Sequence, residues 1–320
     1  MSSFKHLTIF SLILLAVAFL WGQNVSAQVR PPVPRGSQKA TVMQTIGTTE
    51  ISITYSRPMV KGRKVYGDWP TKVEGEATLD DGRARPKDAP LVPNDHLWRA
   101  GANEATLFVF PDDVIVNGNP LPAGKYSFHA IPGKEDWTLV FNKDEGQWGS
   151  FTYDKAKDAL RFKAKPMWLN DSKELLTYAF DEVGEKSATV YLRWEKLKVP
   201  FTVEVKDVVG STMARLRAYV AGAKSDDPGP AFNAANYAKA NKQTDDATKW
   251  FDMAAKASEE LIKAKPTFAN YRQRSNIFFA AGRMPEALAA AEKAVELGKA
   301  EKADIAALEK RIADIKAGKP

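Results

Sequence analysis

The sequence predicts an α+β chain in two parts. An N-terminal all-β domain over residues 39–206, an antiparallel sandwich or jelly-roll-like fold, precedes a C-terminal all-α region over residues 207–320. Three observations predict it. From Lys39 to Val205, apolar and polar residues alternate with the period of half-buried strands. Turn-forming residues punctuate that stretch and no part of it reads as a crossover helix, so the strands should pair antiparallel in two layers. After Asp207, alanine becomes abundant and β-branched residues thin out.

Residues 1–27 carry the order of a secretory leader: Lys5 and His6, an apolar run from Leu7 to Trp21, then small residues in Val25-Ser26-Ala27. The run is about 15 residues, short of the ~20 that a spanning helix needs. Cleavage after Ala27 would leave Gln28 as the N-terminus of a periplasmic or extracellular protein with no later membrane span. Retention of the segment as an N-terminal anchor is the alternative. Residues 28–38, with Pro31, Pro32 and Pro34, read as an extended spacer.

The strands follow in order. Glu50 to Tyr55 alternates strictly. Ala105–Phe110 and Asp113–Val116 flank Pro111, and Asn117-Gly118 is a turn that accepts positive φ. Leu121-Pro122-Ala123-Gly124 is a second turn. Lys125–Ile131 places Tyr126 and Phe128 on one face, and Trp137–Phe141 continues the pattern. Further strands are expected at Gly149–Tyr153, Ala159–Lys165, Leu175–Phe180, Thr189–Trp194 and Val199–Val205. Residues 67–95, rich in glycine, proline and charge, read as an inserted surface loop.

Helices are expected from Ser211 to Ala221 and, after a break at 224–230, in two hairpins. In the second hairpin, Tyr271, Ser275 and Phe278 share a face. Gly282-Arg283-Met284-Pro285 turns the chain, and Ala287, Ala291, Ala294 and Leu297 line the next helix. This hairpin resembles a tetratricopeptide repeat. An earlier copy carries Ala235, Ala247, Phe251 and Ala254. Ala247 and Ala287 lie 40 positions apart, against a repeat of about 34, which implies a longer second helix ending at Lys265-Pro266. An ordinary helical bundle is the alternative. Residues 300–317 read as a capping helix.

Several segments of the β region act together as a signature. They are Lys39–Val42, Gln44–Thr49, Ile53–Pro58, Val60–Gly67, Leu97–Thr106, Leu121–Ser127, Ile131–Gly133, Trp137-Thr138 and Gln147–Gly149. The ordered set resembles the exported bacterial family, typical of Bacteroidetes, called domain of unknown function 2911. The resemblance implies export and a β-rich domain over residues 30–205, with helical repeats appended in some members. It implies no established activity, so no catalytic residue is carried over. The insertion at 68–95 departs from the family pattern, in which relatives pass more directly to the Trp-Arg segment.

The chain has 320 residues and a formal charge of +7. That excess is compatible with an anionic partner, such as an acidic glycan or a membrane surface, without requiring one. There is no cysteine, which excludes disulfides, thiolate metal sites, a thiol nucleophile and a cysteine-linked lipid anchor. No cofactor motif or phosphate-binding glycine loop is present, and no nucleic-acid partner is expected.

The densest polar and aromatic cluster comprises Tyr55, Arg57, Lys61, Arg63, Tyr66, Trp98, Arg99, Asn103 and Glu104. Arginine grips carboxylate, sulfate or phosphate through paired N–H groups, and tryptophan or tyrosine offers a flat apolar platform. Gathered at one loop end, these residues would suit an anionic glycan or a carboxylate ligand. Alternatively Arg57 and Arg99 pair with Glu104 and Asp95 and merely pin the insertion. His96 and His129 are the only histidines after the leader, too few for a histidine-rich metal site, and His129 is read as a structural or surface residue. Asp80-Asp81 and Asp112-Asp113 are read as caps and solvated turns.

Three functions fit these residues. The first is an exported cell-envelope binding or scaffold protein, whose helical repeats receive a protein or peptide. The second is an envelope glycan hydrolase using Glu104 with Asp95 or Asp113. The third is a structural role in which the β domain packs on its own tail.

Overall fold

The computed structural model describes residues 33–69, 86 and 88–318. The leader, residues 28–32 of the spacer and the middle of the insertion, with Asp80 and Asp81, lie outside the described residues. Residues 33–37 have no regular structure. Lys39–Pro320 forms one compact unit.

Its first part is β-rich. A six-stranded sheet has the order β1 (Gln38–Ile46), β2 (Thr49–Arg57), β5 (Thr106–Phe110), β8 (Gly124–Ile131), β9 (Trp137–Asn142), β10 (Asp158–Ala164). A four-stranded sheet has the order β11 (Met167–Asp181), β12 (Ser187–Val205), β6 (Val114–Val116), β7 (Asn119–Leu121). A short parallel pair, β3 (Tyr66–Gly67) and β4 (Val92–Pro93), stands apart. The turn between β6 and β7 has φ of 48° at Asn117 and 82° at Gly118, the left-handed pair that a two-residue hairpin requires.

Alternation along each strand sends one row of side chains inward. Phe108, Phe110, Phe128 and Phe141 come from the six-stranded sheet, and Leu192, Phe201 and Val203 from the four-stranded one, all within one apolar core. Phe201 lies 5.7 Å from Phe128 and 5.6 Å from Phe162 between ring centroids. Burying each such side chain contributes about 1.5–3 kcal/mol. Tyr55 and Tyr178 tie the layers by hydrogen bonds. The Tyr178 amide donates to the Tyr55 hydroxyl at 3.1 Å, and the Tyr178 hydroxyl donates to the Ala100 carbonyl at 2.8 Å.

Four expectations are corrected. Thr189–Trp194 and Val199–Val205 are not separate strands but parts of β12, which runs through a kink at Glu195 with φ 54°. The strand expected at Leu175–Phe180 extends over Met167–Asp181. Gly149–Tyr153 is a turn, not a strand; Gly149 has φ 66°, which breaks extended backbone. The insertion is not wholly a surface loop. Its two ends are β3 and β4, and Val92 is fully buried.

Six helices follow among the described residues: α1 (Val208–Ala221), α2 (Gly229–Ala240), α3 (Thr244–Ala264), α4 (Phe268–Ala280), α5 (Met284–Glu301) and α6 (Ala306–Lys316). The expected capping helix is therefore shared between the end of α5 and α6. Asp207 caps α1 by accepting from the Gly210 amide at 2.8 Å. Ala234, Ala235, Ala238, Ala254, Ala287, Ala291 and Ala294 are buried, and their small side chains let neighbouring helices approach closely. Ser275 donates to the Ala287 carbonyl at 2.9 Å, joining α4 to α5. Among the described residues, no helix is long and apolar enough to cross a membrane.

α1 also meets the sheets. Thr48, in the β1–β2 turn, shares a 2.9 Å hydrogen bond with Thr212. Asp112, in the β5–β6 turn, accepts from the Thr49 hydroxyl at 2.5 Å and from Arg215 Nη2 at 2.7 Å.

Candidate ligand-binding site

The nine residues singled out in the sequence do not converge on one opening. Tyr55 is buried between the sheets. Arg57 donates to the Leu176 carbonyl at 2.9 Å and to the Thr177 hydroxyl at 3.0 Å, so its guanidinium joins β2 to β11. Arg63 donates to the carbonyls of Val60 at 3.1 Å and Met59 at 2.5 Å, closing its own turn. The Lys61 amide donates to Glu174 at 2.9 Å, with Lys61 at φ 47°. Trp98 is buried and its indole donates to the Gly101 carbonyl at 3.0 Å. The Arg99 carbonyl accepts from the Thr106 amide. The Asn103 carbonyl accepts from Gly149, and Glu104 bridges Trp148. Glu104 and Tyr55 line a small cavity of about 100 Å³ with Lys39 and Leu107.

Tyr66 alone of the nine lines a larger cleft in the β-rich part. That cleft, about 320 Å³, is walled by Tyr66, Trp137, Trp168, Pro166 and Leu197, with Gly67, Asp68, Asn94, Gly133 and Lys134 at its polar side. Its size lies at the lower end of small-molecule sites, which run about 300–1,000 Å³.

Several elements bring these residues together. β3 and β4 pair in parallel, so the two ends of the insertion place Asp68 and Asn94 side by side. The Asn94 amide then donates to the Gly67 carbonyl at 2.8 Å, and its side chain donates to Asp68 at 2.9 Å. Lys134, in the turn between β8 and β9, pairs with Asp68 at 3.5 Å. Trp137 opens β9. Trp168 sits near the start of β11, opposite Leu197 of β12. Beyond it the register slips before Lys173, so the chain bulges, and bulges commonly re-aim a side chain next to a site.

The aromatic rings stand nearly perpendicular. Tyr66 meets Trp168 at 6.2 Å and 88°, and Trp137 at 5.7 Å and 65°. Behind them Trp98 and Trp194 stack at 6.1 Å and 21°, Trp98 packing on Trp137 and Trp194 on Tyr66. The Tyr66 hydroxyl donates to the Trp194 carbonyl at 3.2 Å. Burial first, and then the charge of Glu195, pushes that hydroxyl above the usual phenol range, so it stays protonated. The hydrogen bond from Asn94, then the charge of Lys134, holds Asp68 below the ordinary carboxylate range. Trp168 is 65% exposed, an uncommon position for so large an apolar group.

A second polar cluster lies on the other face of the six-stranded sheet. His129 is fully buried and shares a 3.1 Å contact between its Nε2 and the Ser127 hydroxyl. Gln147 reaches Ser127 at 3.4 Å, and Tyr153 meets the His129 ring edge-on at 5.1 Å. Tyr153, Asp158 and Arg161 bond one another beside it. The turn over residues 143–157 covers these groups, and their bonds anchor that turn on the sheet. His96 is also buried, bonded to the Asn94 carbonyl at 2.7 Å and stacked on Trp69 at 5.1 Å. Asp112 joins the helices to the sheets, and Asp113 accepts from the Ala123 amide at 2.9 Å. Among the described residues, no group of three or more histidines and carboxylates is placed to hold a metal ion.

Sequence reasoning missed Asp68, Asn94, Gly133, Lys134, Trp137, Pro166, Trp168 and Leu197 as cleft residues. The available signal was aromatic. Trp137 and Trp168 each stand close to a turn, but the sequence does not say which tryptophans stay at the surface.

A family model described as "Protein of unknown function (DUF2911)" matches residues 37–203, just over half of the chain. Every residue lining the cleft falls within that range. No curated protein and no solved structure matches the chain.

Proposed function

The chain belongs to the DUF2911 family of proteins of unknown function, and from that premise we propose that it is an exported binding protein of the cell envelope. In this reading the two facing sheets are an antiparallel sandwich that holds a small ligand at Tyr66, Trp137 and Trp168. The helices are tetratricopeptide-like hairpins that serve a protein or peptide partner. The leader-like order of residues 1–27 supports export.

One observation carries the binding role: an open aromatic cleft with convergent polar groups. Binding is favoured over hydrolysis because, among the described residues, Asp68 is the one carboxylate lining the cleft, whereas glycoside hydrolysis ordinarily uses two flanking the scissile bond. An anionic ligand at the predicted arginines is not favoured, because Arg57 and Arg63 donate to groups of the fold itself.

The test is a screen of the mature protein, beginning at Gln28, against a chemically mixed library of small molecules. Tryptophan fluorescence and thermal shift are the readouts. A true ligand changes the fluorescence and raises the melting temperature, and the Trp168→Ala variant loses both responses. A library with no Trp168-dependent compound would sink the binding role. Amino-terminal sequencing of protein recovered from the cell envelope checks export; a chain still starting at Met1 and confined to the cytoplasm refutes that part.

A further inference from the structure

We propose that the cleft receives a neutral carbohydrate: one pyranose ring of an oligosaccharide sits in the corner between Trp168 and Tyr66, with its hydroxyls on Asp68, Asn94 and Lys134. This rests on the binding role above and names its ligand class.

The shape of the cleft comes first. Two parallel rings would make a slot that only a flat ring enters, stacked on both faces. Here the rings meet at 88° and 65°, which makes a corner rather than a slot. A puckered sugar ring is thick. It lays its face of axial C–H groups on one ring and its edge against the other.

The polar groups come second. A sugar hydroxyl both donates and accepts, so it is matched best by donors and acceptors set side by side. Asp68 accepts, while the Asn94 amide and the Lys134 ammonium donate, and all three lie along one side of the cleft. Asn94 already holds Asp68 by a hydrogen bond, so that pair loses little order on binding, while the exposed Lys134 swings to meet the ligand.

Charge comes third. Asp68 and Lys134 cancel within the lining. Among the described lining residues, a sulfated or uronic sugar would find no excess of positive charge. Lastly, Trp168 is mostly exposed at the mouth, which lets a longer glycan run out into solvent from the bound ring.

The experiment is isothermal titration of the mature protein with three classes of probe: neutral hexasaccharides (cellohexaose, laminarihexaose, maltohexaose, xylohexaose and mannohexaose), oligogalacturonides, and nucleosides. At least one neutral hexasaccharide should bind. Trp168→Ala should weaken it at least about tenfold, and Asp68→Asn should weaken it as well. Trp148→Ala, at another exposed tryptophan outside the cleft, should leave it within about twofold. Circular dichroism confirms that each variant folds. Binding of oligogalacturonides in place of neutral sugars, with Trp168 still required, overturns the assignment of a neutral sugar. Binding of nucleosides instead, or a non-carbohydrate hit from the mixed library, overturns the carbohydrate assignment altogether. Each of these leaves the binding role standing. Silence from every probe and every library compound overturns both. Neutral-sugar binding that survives Trp168→Ala overturns this placement.

Discussion

Arg57 and Arg63 lie near Tyr66 in sequence, yet both arginines donate to groups of the fold itself while Tyr66 faces an opening. Composition reveals a gripping side chain but not whether the fold has already supplied its partner. The same limit applies to the tryptophans: Trp98 and Trp168 read alike in the chain, but one is 4% exposed and the other 65%. Single positions nevertheless make sharp predictions. Gly47 has φ +60°, and a Cβ there would lie 2.6 Å from Val208 Cγ1. Gly47→Ala should destabilise the protein by about 1–3 kcal/mol, through backbone strain and overpacking together. Urea unfolding would show it as a lower midpoint with unchanged slope. Asp68 predicts a pH dependence. Its acceptor role needs the ionised carboxylate, which Asn94 and Lys134 hold below the ordinary carboxylate range. Ligand affinity should therefore be constant from neutral pH down through that range and fall only in stronger acid. Titration calorimetry at stepped pH measures this, and a fall near neutral pH would implicate a different group.

At the level of elements, β12 is the longest strand and carries Leu192, Trp194, Phe201 and Val203 into the core. Phe201 touches Phe108, Phe128, Phe141 and Phe162 of the facing sheet. Phe201→Ala should cost about 3–5 kcal/mol, because the rings around it cannot all collapse into the space left. Chemical denaturation gives the value, and a loss below about 1 kcal/mol would mean that the two sheets do not depend on this contact. Strand existence was largely legible, since period-two alternation reports directly which face is buried. Strand continuity was not. Glu195-Lys196 interrupts the apolar pattern of β12, and only the structure shows that the chain absorbs the break as a kink and continues. Gly149–Tyr153 misled in the opposite sense, because a few aromatic and small residues suffice to mimic a strand. The cleft was the least legible feature. Its walls come from β3, β9, the start of β11 and the middle of β12, and sequence distance says nothing of that convergence.

Across the whole unit, the sheets and the helices meet at Asp112, which joins Thr49 and Arg215. Partial burial raises the Asp112 pKa, but the hydrogen bonds from Arg215 and Thr49, with the Arg215 charge, outweigh it and leave the pKa lowered. A carboxyl lowered in the folded state contributes stability above its unfolded pKa and loses it as pH falls through the folded value. Asp112→Asn should thus lower stability at neutral pH by about 1–2 kcal/mol, the joint being partly open to solvent. The difference from the parent protein should close in acid. Thermal melts of both proteins at neutral and acid pH decide it, and a gap that widens in acid contradicts the assignment. Gly47 against Val208 and Thr48 against Thr212 strengthen the same joint. Part of the rim of the aromatic cleft is made from the two stumps of the long excursion between Tyr66 and Pro93, beside Trp137, Trp168 and Leu197 of the large sheets. Lengthening, shortening or rewriting that excursion would retune what the mouth admits while the load on the phenylalanine core stays the same. A descendant could change its taste without relearning how to fold.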